Sequence, residues 1–199
     1  MPQPSDAPAL RPGPRRPGAL RRGADAVAAR AREEGTLAAW GGQAAAVATV
    51  LYYTRHAWGA RAAAGDDVMA HLARARWGIG HLWLHGHLDG FFPAFAGGYQ
   101  EFLFYGQGFT ALLGLVRLLS FGLLSTSGAM KAVTLASLAA FPLAVAFLAR
   151  SLGLTRRAAG VAAVLSVLVN NPFGVGLSAV FGPALVPQQV AAILACLCI

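Results

Sequence analysis

The sequence predicts an all-α, polytopic transmembrane protein whose external loop contains amphipathic juxtamembrane helices. Composition is the first ground: 56% of residues are hydrophobic and 12% charged, with a mean hydropathy of +0.55, where a soluble domain carries roughly 25% charged residues. The second is that the apolar residues gather in long runs. The third is that the charges sit at the ends of those runs. Sixteen basic residues face eight acidic ones, an excess that points to nucleic acid only when it forms one patch. Spread as topology signals, it excludes nucleic acid and leaves membrane lipid as the expected partner.

Residues 1–36 are rich in Pro, Gly, Ala and Arg and lack an apolar period, so they read as a disordered basic tail. A short helix is expected within "ADAVAARAREEG". From Leu37 to Thr54 the run "LAAWGGQAAAVATVLYYT" has no charge and reaches about the ~18-residue minimum for a span. Arginines before a first span resist translocation, which predicts a cytoplasmic N-terminus and an external loop over 55–101. The membrane domain is taken as 37–199, in a multi-pass plasma-membrane protein. Cys196 and Cys198, two apart in an apolar run, read as small buried residues rather than a bridge or a metal site.

Further apolar runs cover 102–124, 132–149, 158–177 and 184–199. The last reaches Ile199 without a polar cap, so the chain is expected to be the N-terminal part of a larger protein. If 102–124 crosses the membrane, the basic hairpin "RSLGLTRRA" lies outside, against the positive-inside rule. Arg117 in the middle of that run argues for a juxtamembrane or re-entrant helix, because a central arginine costs about 2.5–3.5 kcal/mol to insert. Pro142 is expected to kink its helix, and Asn170-Asn171 before Pro172 to end one.

Residues 65–106 hold four of the five histidines and half of the eight carboxylates. On a helix over 66–88, Asp67, His71, Arg74, Gly78, His81 and His85 share one face, and Val68, Leu72, Ala75, Ile79 and Leu82 form an apolar stripe beside it. This is the pattern of an amphipathic helix at a membrane surface. Gly78 and Gly80 weaken it, so two shorter pieces are also open. Asp66 and Asp67 fit equally an N-cap, where a carboxylate satisfies free backbone N–H groups. His81, His85 and Asp89 have metal-like spacing without a further ligand, so neither metal nor cofactor is expected. Pro93 and Gly97-Gly98 predict turns in the aromatic stretch that follows.

"GDDVMAHLARARWGIG", "GFFPAFAGGYQEFLFYG" and "GAMKAVTLASLAAFPLAVAFLARSLGLTRRAAGVAAVL" together resemble the N-terminal part of bacterial membrane proteins of the GT-C glycosyltransferase type. The nearest are the 6-pyruvoyl-tetrahydropterin-synthase-related membrane domains and the mycobacterial arabinofuranosyltransferases. The resemblance rests on Asp67 with His71, Gly90 with Pro93, Gly98-Tyr99, and Leu148-Ala149-Arg150 with Leu152-Gly153, over roughly residues 37–180. Phe95, Gln100 and Gly106-Gln107 depart from the family pattern, which has a tryptophan and two prolines there.

The resemblance implies transfer of a sugar from a polyprenyl-phosphate donor to a glycan acceptor at the outer membrane face. In such a reaction a carboxylate just outside the bilayer takes the acceptor hydroxyl's proton. Asp67 is the expected base, with Asp66 as the alternative and His71 orienting it. Arg74, Arg76 or Arg117 would offset the charge of the departing phosphate. A transporter or flippase-like protein and a non-catalytic membrane protein of the same architecture remain the rival readings.

Overall fold

The computed structural model describes residues 18–59, 67–93, 97–102, 106–169, 175–182 and 185–199. Helix accounts for about 77% of these residues, so the protein is predominantly helical. The elements are α1 (Gly18–Gly59), α2 (Val68–Trp77), β1 (Gly90–Phe92), β2 (Tyr99–Glu101), α3 (Gly108–Leu119), α4 (Thr126–Ser151), α5 (Arg156–Leu168), α6 (Leu177–Phe181) and α7 (Val186–Leu197). The reading of residues 1–17 as a disordered tail falls outside the described residues. From Gly18 onward that tail is helical and continuous with the apolar run, in one helix that contains the one expected within "ADAVAARAREEG" and extends it in both directions. Alanine and arginine, both strong helix formers, dominate there.

Helix α4 is the one described helix long and apolar enough to cross a membrane; the Leu37–Thr54 run read as a first span lies within α1, which is long enough but not apolar enough. Its 26 residues rise roughly 39 Å at ~1.5 Å each, more than the ~30 Å of a hydrocarbon core. Ser125 starts it by accepting a hydrogen bond from the Gly128 N–H at 3.1 Å. The helix continues through buried Pro142, which has no N–H to offer the Leu138 carbonyl. Thr155 begins α5 in the same way as Ser125, accepting from the Ala158 N–H at 3.2 Å. The 102–124 and 158–177 runs each form something shorter than their apolar length suggests. In the first, α3 has 12 residues; in the second, α5 ends at Leu168, just ahead of Asn170.

Three contacts set how the long helices run. Lys131, near the start of α4, donates to the Trp58 carbonyl at the end of α1. At the other end, Arg156 donates to Thr36, which puts the α4–α5 hairpin beside the first half of α1. Between these, α1 and α5 meet through glycine. A Cβ at Gly42 would lie 2.6 Å from the Gly160 carbonyl oxygen, and one at Gly160 would lie 2.9 Å from the Ala38 oxygen. Only hydrogen on Cα permits backbones this close. Thus α1 is antiparallel to α4 and parallel to α5.

The main core joins Val50, Val68, Leu72, Leu113, Met130, Val133, Leu138, Val180 and Val186. It therefore seats α2 and α3 against the N-terminal part of α4, at the end where α1 finishes. The apolar stripe read from sequence is the buried one: Val68, Leu72, Ala75 and Leu82 are all buried. Fully buried Gln189 on α7 accepts from the Gly176 N–H at 2.9 Å, tying the approach to α6 onto α7.

Neighbouring glycines in α1 give opposite expectations. A Cβ at Gly41 meets nothing within 4 Å, so Gly41→Ala should stabilise by up to ~1 kcal/mol through helix propensity. Gly42→Ala should instead destabilise by ~1–3 kcal/mol, because the helices must separate. Thermal unfolding in detergent checks the sign; equal effects at the two positions would contradict the close packing.

Candidate functional site

The site begins where α2 begins. Asp67 holds the N-cap position, and the His71 N–H donates to its carbonyl at 3.0 Å, closing the first turn. Its side chain makes no capping hydrogen bond. The carboxylate is exposed and faces a cleft of about 410 Å³ shared with His71, Arg74, Leu185, Pro187 and Gln188. Three members of the sequence stripe therefore meet in one cavity, completed by the start of α7. Gln188 is a lining residue that sequence spacing could not supply, since it lies far along the chain. Asp66, the alternative base, lies outside the described residues.

His71 is partly buried, with its ring edge-on to Phe109 at 5.7 Å between centroids. Burial pushes its pKa below the ordinary 6.5, and the nearby Arg74 charge adds to this, with Asp67 opposing. The imidazole is therefore neutral at pH 7, able to accept or donate a hydrogen bond. Arg74 reaches behind the cleft to Glu101, with Nε 3.4 Å from Oε2. The Arg74 side chain is 12% exposed and Glu101 is fully buried.

Glu101 is brought there by a short antiparallel hairpin that the all-α reading did not contain. Gly90 pairs with Glu101, Phe91 with Gln100 and Phe92 with Tyr99. Gly97 and Gly98 make the return with φ of 79° and 95°, the left-handed region that a side chain resists. A Cβ at Gly98 would in addition lie 2.4 Å from the Phe91 ring. Trp77 stacks on Phe92 at 4.9 Å, fastening the hairpin to α2. The sequence held one clue to Glu101: it is the last carboxylate of the chain, set among aromatic residues.

Beyond Trp77 the stripe leaves the cleft. The helix rewinds as a π turn over Gly78–Leu82 and a 3-10 turn over Trp83–His85, ending at Gly86 with φ 77°. The sequence placed the weak point correctly at Gly78 and Gly80. One rod with changed winding results rather than two pieces, and at Gly78 the Phe102 ring packs where a Cβ would lie 2.7 Å away. His81 and His85 are exposed, and His81 stacks on Trp77 at 6.4 Å. Among the described residues no three of His, Cys, Asp and Glu gather to hold an ion. Gln107, one of the departures from the family pattern, donates to the Leu88 carbonyl at 2.6 Å and so joins the hairpin region to α3.

The other two arginines singled out from sequence lie elsewhere. Arg76 is exposed and does not line the cleft. Arg117 lines a separate, larger groove between α3 and the rewound end of α2, and donates to Thr126 Oγ1 at 3.3 Å. No family model, curated protein or solved structure matches the chain.

Two outcomes follow from this geometry. Removing one partner of a buried ion pair strands the other, so Glu101→Ala should cost about 3–5 kcal/mol, read as a loss of thermal stability in detergent. For His71 the folded state favours the neutral ring. Its stabilising share is complete above pH 6.5 and declines as pH falls below that value through the lowered folded pKa. His71→Gln should therefore flatten the fall in Tm between about pH 7 and about pH 5; an unchanged slope would place the ring in water.

Proposed function

We propose that the chain is a multi-pass plasma-membrane protein of the GT-C glycosyltransferase type, acting with a lipid-linked sugar donor and a glycan acceptor. The observation that carries the reading is the Asp67 carboxylate, which makes no capping hydrogen bond, in a cleft with neutral His71 and Arg74. A carboxylate poised in a cleft can take the proton of an attacking hydroxyl, a task that contributes typically 10²–10⁴-fold. His71 would orient the acceptor or Asp67, and Arg74 would balance the developing phosphate charge. Arg76 and Arg117 are left out of this role because Arg76 is exposed away from the cleft and Arg117 lines the separate groove.

The helix directions support the proposed topology. Arg150, Arg156 and Arg157 belong to the end of the bundle where Thr36 follows the basic tail, while the cleft belongs to the opposite end with Trp58 and Lys131. With the N-terminus inside, the basic hairpin is also inside and α3 rests at the outer surface, in keeping with the positive-inside rule. In a cysteine-free background, Gly59→Cys should label from outside and Leu154→Cys only after permeabilisation. The reverse pattern would overturn the orientation.

For the chemistry, Asp67→Asn in native membranes should lower sugar transfer from a polyprenyl-phosphate donor by at least ~100-fold. Asp66→Asn should be milder, since Asp67 is the carboxylate that lines the cleft with His71 and Arg74. Full activity in both variants would favour the non-catalytic reading.

A further inference from the structure

The groove that holds Arg117 has no part in the cleft. It is about 730 Å³, mostly apolar, and runs between α3 and the Ile79–Leu84 stretch. A Cβ at Gly114 would lie 3.1 Å from the Trp83 ring, so glycine lets Trp83 pack closely on α3 as one wall of the groove. Arg117 is the one charged residue among its described lining residues. Its Nε and the Trp83 Nε1 are shielded from solvent and have no protein partner among the described residues.

The groove continues into a turn that is built to expose apolar side chains. At the end of α3 the Gly122 N–H donates to the Arg117 carbonyl at 3.0 Å and the Phe121 N–H to the Leu118 carbonyl at 2.9 Å. This is the Schellman pattern, whose left-handed residue is usually glycine. Here that residue is Phe121, with φ 52° and 93% exposure. A bulky side chain is rarely held in that conformation. Leu118 and Leu123, at 73% and 87% exposure, flank it. Water is a poor partner for such a projection. The Arg117–Thr126 hydrogen bond holds the guanidinium at the first residue of α4, the one described helix long and apolar enough to cross a membrane.

We propose that this groove binds one anionic phospholipid of the bilayer: an acyl chain lies along Trp83 and Gly114, Arg117 faces the headgroup phosphate, and the Phe121 turn enters the hydrocarbon beside it. The inference rests on the reading that α4 crosses the membrane, since that sets Arg117 at the headgroup level. Phospholipid is favoured over the sugar donor because Asp67, His71 and Arg74 do not line this groove.

The test is quenching of the tryptophan emission that Trp83→Phe removes, with the chain reconstituted in phosphatidylcholine vesicles containing brominated phosphatidylglycerol or, at equal mole fraction, brominated phosphatidylcholine. The brominated phosphatidylglycerol should be enriched at the groove by ~5-fold, the share of one basic residue at a membrane surface. Arg117→Gln should abolish that preference while leaving quenching by phosphatidylcholine, and Arg117→Lys, which keeps the charge, should retain it. Equal quenching by the two lipids, or a preference that survives Arg117→Gln, would overturn the assignment. Displacement of the brominated lipid by a trace of polyprenyl phosphate, but not by unlabelled phosphatidylglycerol, would overturn it in favour of a donor site. Opposite-side labelling of Ser125→Cys and Ser151→Cys reads the spanning of α4 separately: with spanning intact, a missing lipid preference removes only this inference, and without spanning both fall.

Discussion

Arg74 and Glu101 meet where almost no water reaches, and much of the local architecture follows from having to satisfy them. A buried carboxylate is strongly disfavoured unless a cation and hydrogen-bond donors surround it. Glu101 reaches Arg74 from the second strand of the hairpin, which Gly97 and Gly98 enter in the left-handed conformation. With Arg74 held from behind, the first turns of α2 cannot rotate about their axis. His71 and Asp67, one and two turns earlier on the same face, thereby line the cleft with Arg74. Glu101 thus positions the proposed chemistry through Arg74, without lining the cleft itself.

A second constraint acts at the opposite end of the bundle. Gly42 and Gly160 bring α1 and α5 into backbone contact, and close approach of small residues is how helices associate where burial of apolar surface supplies little drive. The contact also sets helix direction, and with it the separation of charge between the two ends. The arginines of the α4–α5 hairpin come to lie next to Thr36, and the carboxylates of residues 67–101 are kept at the far end. Packing and the distribution of charge therefore agree on a single proposed orientation.

The protein presents two surfaces of different chemistry on the two sides of α2 and its continuation. One is a polar cleft with a carboxylate, an imidazole and a guanidinium; the other is an apolar groove with a single cation and a projecting aromatic turn. Rewinding at Gly78 divides them. Had the helix continued with ordinary winding to His85, His81 and His85 would have followed Asp67, His71 and Arg74 along the face that lines the cleft, and Trp83 would not meet α3 as it does.

Much was determined by the sequence alone. Helical class, the apolar face of α2, the weak point at Gly78 and Gly80, the turn at Gly97-Gly98 and the common face of Asp67, His71 and Arg74 all follow from spacing and backbone chemistry, which are local. The short length of α3 was foreshadowed by Arg117, because an unpaired charge in mid-span is costly. Tertiary structure alone decided which chemistry-bearing residues share a cavity. Gln188 joins the cleft across the chain, Glu101 turns inward to meet Arg74, and Arg117 is assigned to a separate groove, because contacts between residues distant in sequence depend on how helices are seated. The helical start of α1 at Gly18 shows the same limit from the other side: alanine content revealed a short helix, but a segment without an apolar period has no pattern to reveal that it joins the apolar run as one 42-residue helix.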